Sequence, residues 1–324
     1  MKTAKLGLAT AALMLSAALA LAQETKVVAI STIVEVPALM MAKQGILDGL
    51  AERGYVEGKT MTLLYENANG SMPTQQQIAK KFMGQAPDVI IPITTPTSQA
   101  MIASTSGIPI VFAMVTDPVK AQLVPQLTKP GGHVTGVSDA EPIGPQLDLM
   151  QDMVPGLKHL GFIYNPGLDN ALATLEVLKV EAAARGIEIV ESAAPTTNEV
   201  IIATRRLVGK VEALYVPNDA TVTVALESIV KVGQDTGMPV FAGETSAVAR
   251  GAAGSVGLDY RAVGRSAGLM AADVLDGKNP GDIDVVVAYA LFDQLETVIN
   301  KGSSEKMGMT VPQAVLDRAD KVIE

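Results

Sequence analysis

Apolar and polar positions along this chain fall into two successive passages of one alternating text. The first runs KVVAIS (26–31), PALMMAKQGILDGLAERGYVEGK (37–59), TLLYEN (62–67), a helical stretch, PDVIIPIT (87–94) with TPTSQA (95–100), and GIPIVFAMVTDP (107–118). The second runs HLGFIYNP (159–166), NALATLEVLKVEAAARG (170–186), IEIVES (187–192), a helical stretch, VEALYVPN (211–218) with DATVTVAL (219–226), and GMPVFAGETSA (237–247). The ends agree as well, GGHVTGVSD (131–139) with RGAAGSVGLDY (250–260). The strands are continuous apolar runs rather than alternating ones, which marks parallel sheets buried on both faces. The fold class is therefore α/β, with two doubly wound parallel-sheet lobes. A ligand belongs in the cleft between them, where the carboxyl ends of both sets of strands meet.

Helix boundaries support the same division. Pro37, Pro73 and Pro96 sit at first helical turns, and Gly54, Gly107 and Gly186 fall just past helix ends. The Pro/Gly-rich run DAEPIGP (139–145) reads as a first crossover between lobes. A strand ending at Asp259 reads as the second, and an extended DIDVVVAYALF (282–292) as the third. The expected layout is a first lobe of residues 23–138 plus 260–281, and a second of 139–259 plus 282–324. Three crossings make a hinge that allows one lobe to rotate on the other, near Ser138–Asp139, Asp259 and Asp282–Asp284.

The N-terminus adds a compartment. Lys2 and Lys5 precede an apolar run to Leu21, and Ala20-Leu21-Ala22 has the small-x-small form of a cleavage site. Residues 1–22 are expected to be a cleaved signal peptide, with the mature protein exported. No Cys follows the run, so no lipid anchor is expected, and the chain has 0 Cys for disulfides. Roughly 300 residues bury enough surface to do without such staples. Losing Lys2 and Lys5 takes the formal charge from −9 to −11. An acidic chain without a Lys/Arg cluster is a poor partner for nucleic acid. A DNA-reading helix-turn-helix would have to precede the first lobe, where the leader stands.

Catalytic signatures are missing. Gly136-Val137-Ser138-Asp139-Ala140 lacks the closing Gly of a nucleophile elbow, and no phosphate-binding P-loop or dinucleotide glycine motif occurs. The only two histidines, His133 and His159, are far apart. No metal, no cofactor and no enzymatic activity are expected.

Binding residues repeat instead at strand ends. The first lobe offers Glu35, then Thr94, Thr95, Thr97 and Ser98, then Thr116 and Asp117, and Ser138; the second offers Tyr164 and Asn165, Asn218 and Asp219, and Glu244; Asp259 stands at the hinge. Hydroxyls at a helix start suit an anion on free backbone N–H groups. One of them is equally explained as an N-cap. Glu35, Asp117, Asp219, Glu244 and Asp259 have no Lys or Arg in the same turns, which suits a ligand with an ammonium group. Asp219 reads equally well as a helix cap; Asp117 and Asp259 read as free of capping duty. Few aromatics, 3% of the chain with 0 Trp, speak against a sugar. Tyr215 reads as strand core.

Several motifs together resemble one family. Val34-Glu35-Val36-Pro37-Ala38-Leu39, Thr95 to Ala100, Val115 to Val119, Pro130 to Asp139 and Thr297 to Glu324 are similar to segments of the substrate-binding proteins of ABC transporters. The resemblance spans the mature chain. It implies a type I periplasmic binding fold, capture in the periplasm of a small solute, amino-acid-type and sometimes aromatic, and delivery to an inner-membrane permease. A ligand sensor reporting to a membrane receptor is the alternative. Docking to a permease by both lobes makes a monomer the default. The family often has His after the Glu of the first segment, where this chain has Val36, a difference that bears on the ligand.

Overall fold

The computed structural model describes residues 25–291 and 295–324; the expected signal peptide, residues 1–22, lies outside them. The first lobe begins β1 (Lys26–Thr32), α1 (Pro37–Glu52), β2 (Met61–Asn67), α2 (Met72–Gln85), β3 (Val89–Ile93), α3 (Thr95–Ser104), β4 (Ile110–Val115) and β5 (Val134–Ser138). The second holds α4 (Ile143–Met153), β6 (His159–Tyr164), α5 (Asp169–Ala184), β7 (Glu188–Ala193), α6 (Val200–Leu207), β8 (Ala213–Val216), α7 (Ala220–Thr223), α8 (Leu226–Thr236), β9 (Val240–Ala242), α9 (Ser246–Ala249) and β10 (Gly254–Gly257). The chain closes with α10 (Tyr260–Leu275), β11 (Val286–Val287), α11 (Ala288–Leu291), β12 (Glu296–Asn300), α12 (Lys301–Lys306), α13 (Gln313–Arg318) and β13 (Lys321–Ile323).

The strands form two sheets, ordered β11-β5-β4-β3-β1-β2 and β13-β12-β10-β9-β8-β6-β7. The first is parallel throughout, and in the second only the β10–β12 pairing is antiparallel. Central strands such as β3 and β4 are buried along their whole length, as their unbroken apolar sequences require. Each lobe has its own hydrophobic core.

After the second crossing, α10 returns to the first lobe and packs on α1 through four glycines. A Cβ on Gly45 would stand 1.9 Å from the Arg261 carbonyl oxygen, and one on Gly264 2.0 Å from that of Ala42. Gly49 and Gly268 face Arg265 and Ile46 carbonyls at 2.4 and 2.2 Å in the same sense. Only residues without a side chain permit backbones this close.

The third crossing departs from expectation. Residues 282–292 are not one extended bridge. Val286 and Val287 add to the edge of the first sheet beside Val137 and Ser138, and a helical turn follows at once. Val285 N–H donates to the Leu127 carbonyl at 2.7 Å and the Asp284 carboxylate accepts from Lys129 N–H at 2.8 Å, so Asp282–Asp284 belongs to the first lobe. The chain passes to the second lobe only between Val287 and Glu296, and Phe292 of the expected segment lies outside the described residues.

Candidate ligand site in the interlobe cleft

The carboxyl ends of β3 and β4 carry two unusual backbones. Thr94, at φ 86° and ψ 158°, precedes α3, and Met114, at φ 55°, bulges from β4. Non-glycine residues hold such conformations only where their surroundings enforce them, and they concentrate at functional sites. Both line a small pocket with Val34, Val36 and Leu39 on the first lobe and Asn170, Asn218 and Thr223 on the second. Thr95, Thr116, Asp139, Ala220 and Glu244 complete it. Its volume is about 40 Å³. Val34 and Ala220 also border a wider groove of about 630 Å³. There Ile33, Met72, Pro96, Leu168 and Val224 alternate with Asn67, Asn69, Asn165 and Thr221.

Five oxygens at the small pocket are buried without a hydrogen-bond partner: Thr95 Oγ1, Asp139 Oδ1, Asn170 Oδ1, Asn218 Oδ1 and Glu244 Oε1. The two amide oxygens can only accept, and the two carboxyl oxygens can only accept once ionised. The Asn170 amide is oriented by its Nδ2, which donates to the Asn218 carbonyl at 2.8 Å. Among the described residues no Lys or Arg lines the pocket or the groove. Burial, reinforced by the neighbouring Glu141 and Glu244 charges, pushes the Asp139 carboxyl up to about 7. Burial also lifts Glu244 to about 7, against the opposing charge of Arg250. Burial raises Glu141 too, although Tyr215 Oη, Thr174 Oγ1 at 2.9 Å and Asn218 N–H at 3.4 Å donate to it. Tyr215 Oη also lies 2.6 Å from Gln146 Oε1, so its one proton is shared between two acceptors and this core tyrosine forms the floor behind the site. The pocket is therefore a set of acceptors and uncompensated carboxyls awaiting a hydrogen-bond donor with positive charge.

The residues singled out from sequence separate into groups. Thr94, Thr95, Thr116, Asn218 and Glu244 meet at the pocket. Thr97 and Ser98 stand behind it, Thr97 Oγ1 3.1 Å from Thr94 Oγ1 and Ser98 Oγ donating to the Thr94 carbonyl at 2.7 Å. Glu35 and Asn165 border the groove, where the Glu35 carboxylate accepts from Tyr65 Oη at 2.7 Å. Ser138 is turned to the Thr116 carbonyl at 3.1 Å, and Tyr164 donates to Glu191 at 2.8 Å and lines neither space. Asp219 is a saturated cap, accepting from Thr221, Val222 and Asn165 N–H groups. Asp117 and Asp259 depart from the expectation that both are free: Asp259 caps α10, and Asp117 closes the turn after β4. Asp117 accepts from Val119 and Lys120 N–H groups, and Asp259 from Arg261 and Ala262 at 2.9 and 3.1 Å. Asp259 borders a separate surface groove with Pro37 and Met41. Asp259→Ala should thus cost about 1 kcal/mol of stability in denaturant unfolding and leave ligand affinity within about twofold in calorimetry.

Asp139, Glu141 and Asn170 were not singled out. The first two lie in the Pro/Gly-rich crossover and look like linker; the readable signal was a pair of carboxylates beside no cation and before no helix that they could cap.

Direct side-chain contacts also join the lobes. Gln99 Nε2 donates to Asp169 Oδ2 at 2.6 Å, Lys120 Nζ lies 2.6 Å from Glu176 Oε2, and Asn218 Nδ2 donates to Tyr260 Oη at 2.7 Å.

A model of the family described as ABC transporter substrate binding protein matches residues 27–323. The chain belongs to that family. These substrate-binding proteins are not enzymes, and their fold here, two parallel-sheet α/β lobes, is that of periplasmic-binding-protein-like ABC substrate binders. Among relatives, a "Tyrosine-binding protein" of Clostridioides difficile is 38% identical over 287 residues, 89% of this chain and 82% of that one. A Streptococcus pneumonia structure described as an ABC domain in complex with L-Trp is 32% identical, with TM-score 0.88, covering 93% of this chain and 100% of that chain. A ligand-free, open structure of a Clostridium difficile substrate binding protein with adhesive properties is 33% identical, with TM-score 0.69, covering 92% and 99%. Among the described residues of this substrate-binding protein, no helix is long and apolar enough to cross a membrane, and no cluster of His, Cys, Asp or Glu has the makings of a metal site.

Proposed function

We propose that this chain is the periplasmic solute-binding component of an ABC importer that captures an amino acid, preferably aromatic, and presents it to an inner-membrane permease. The observation that carries the reading is the ring of unpartnered acceptors, with Asp139 and Glu244 among them. An ammonium group supplies three donors and one positive charge to such a ring. The ligand carboxylate is assigned to the start of α3 at Thr94–Thr97, where backbone N–H groups and the helix dipole favour an anion. The pocket takes the head group only; a large side chain extends into the groove along Ile33, Met72, Leu168 and Val224. The relatives named for tyrosine and crystallised with L-Trp support an aromatic side chain. At almost equal identity the chain overlays better on the L-Trp complex than on the open, ligand-free relative, which supports a ligand-competent, closed arrangement of the lobes. Cleavage of residues 1–22 and a monomeric state complete the proposal.

Protonation provides the test. In the free protein Asp139 and Glu244 hold their protons up to about pH 7. An ammonium requires them ionised, so binding releases protons below that pH. Calorimetry with L-tyrosine and L-tryptophan should show affinity falling about tenfold per pH unit below pH 7 for each carboxyl that must ionise. The desamino analogue, 3-(4-hydroxyphenyl)propionate, should bind at least about thirtyfold more weakly than tyrosine, the buried carboxylates being left unpaired. Equal binding of the two compounds, or an affinity flat from pH 5 to 8, would refute the ammonium site.

A further inference from the structure

Arg250 touches no part of the pocket cavity, yet two pocket residues depend on it. Its Nη2 donates to the Thr223 carbonyl at 2.8 Å, and Thr223 lines the pocket. Its Nε and Nη2 also grip the two oxygens of Glu227 at 2.8 and 2.9 Å. This fork fixes a guanidinium that is only 15% exposed, whereas Glu227 is 63% exposed. The remaining nitrogen, Nη1, is buried without a partner, as is Glu244 Oε1 six residues earlier across α9. Arg250 and Glu244, each with one buried polar atom unpartnered, thus flank the short helix α9.

We propose that Arg250 is a positioning residue for ligand capture: clamped by Glu227, it holds Thr223 in the pocket wall and sets its buried cationic edge on the side of α9 away from the Glu244 carboxyl. The inference rests on the ammonium site proposed above. Of the other groups acting on Glu244, the Ser246 hydroxyl favours the ionised form, and the charged ones favour the protonated form. Asp139 and Glu141, from the crossover after β5, bring like charge, and Tyr260, from the start of α10, brings a neutral phenol. Arg250 is the cation opposing them. The Glu227 clamp sets how much of that charge reaches Glu244, since a carboxylate bound to both edges of the fork draws the guanidinium charge outward.

Two substitutions shift the balance in opposite directions. Arg250→Gln keeps hydrogen-bonding groups but removes the charge. Glu227→Gln frees the guanidinium from its counter-charge at an exposed position where folding is safe. With L-tryptophan as probe, calorimetry from pH 5.5 to 8.5 reads the pH at which affinity falls. Arg250→Gln should raise that pH by about one unit and lower affinity about tenfold at pH 7. Glu227→Gln should lower the pH, and Arg250→Lys should keep it near the parent's despite a loosened Thr223 contact. A purely structural role would weaken binding equally at every pH. If both glutamine variants keep the parental midpoint, Arg250 does not act on Glu244 and the inference falls. Should Arg250→Gln not fold, the Glu227→Gln shift decides alone. A parent protein with no pH dependence would instead refute the ammonium site itself, so the two failures are distinguishable.

Discussion

Replacing Asp139 with Asn should give a protein that resists unfolding better than the parent and no longer holds its ligand. The two effects share one cause. Burial and two neighbouring carboxyls lift Asp139 to about 7, whereas in an unfolded chain an Asp titrates near 3.9. The folded state therefore binds its proton more tightly, and stability declines as pH rises between those values. At pH 8 the full penalty for a buried, ionised and unpartnered carboxylate is present; at pH 4 almost none of it is. A neutral amide of the same shape removes the penalty, so ligand-free Asp139→Asn should gain about 1–4 kcal/mol at pH 8 and close to nothing at pH 4. Binding moves the other way. Loss of one member of a buried charge pair costs about 2–5 kcal/mol, thirtyfold or more in affinity. Denaturant titrations at the two pH values, together with calorimetry on L-tyrosine, separate the outcomes. A variant that binds as the parent does, or that is destabilised at pH 8, would remove Asp139 from the site.

The second large effect falls far from the pocket. Gly264→Ala would place a methyl group 2.0 Å from the Ala42 carbonyl oxygen, against helix backbone rather than a yielding side chain. The α1–α10 contact has to part, and with it the helix layer over β3 and β4. A loss of about 3 kcal/mol or more is expected in denaturant unfolding, at the upper end of what overpacking costs. Gly84→Ala is the control. It stands exposed in α2 with no atom within 4 Å of the added carbon, and should stabilise by about 0.5–1 kcal/mol. Equal behaviour of the two would show that the helices do not meet at these glycines.

How far the molecule could be read from its chain follows from what kind of signal each part leaves. Buried parallel strands leave unbroken apolar runs, and helices opened by Pro37, Pro73 and Pro96 leave their start marks, so both sheets were legible. β11 was not, because two residues of edge strand inside DIDVVVAYALF carry no period. Within the site, Thr94, Thr95, Asn218 and Glu244 were found because they end strands. The carboxylates were harder to sort, since an Asp at a strand end either faces the cleft or turns to the next helix. Asp259 is followed by helix and its carboxylate turns to Arg261 and Ala262 N–H groups. Asp139 is followed by Ala140-Glu141-Pro142 and α4 starts only at Ile143, which leaves its carboxylate nothing to cap. That distinction was present in the local sequence, but it needed the exact start of each helix, the least readable of boundaries.

The pairing of α1 with α10 has a consequence for how the protein is made. As the chain leaves the ribosome, β1 to β5 are complete by Ser138, yet the helix that covers Ala42, Ile46 and Leu50 of α1 arrives only with Tyr260–Leu275. Domains usually fold in the order in which they are synthesised. Here the N-terminal lobe must wait, one apolar face uncovered, while the whole middle of the other lobe is produced. A contact of such long sequence separation also closes slowly. The lobe begun first is thus completed only after most of the second has been made, and the second closes with β12 and β13.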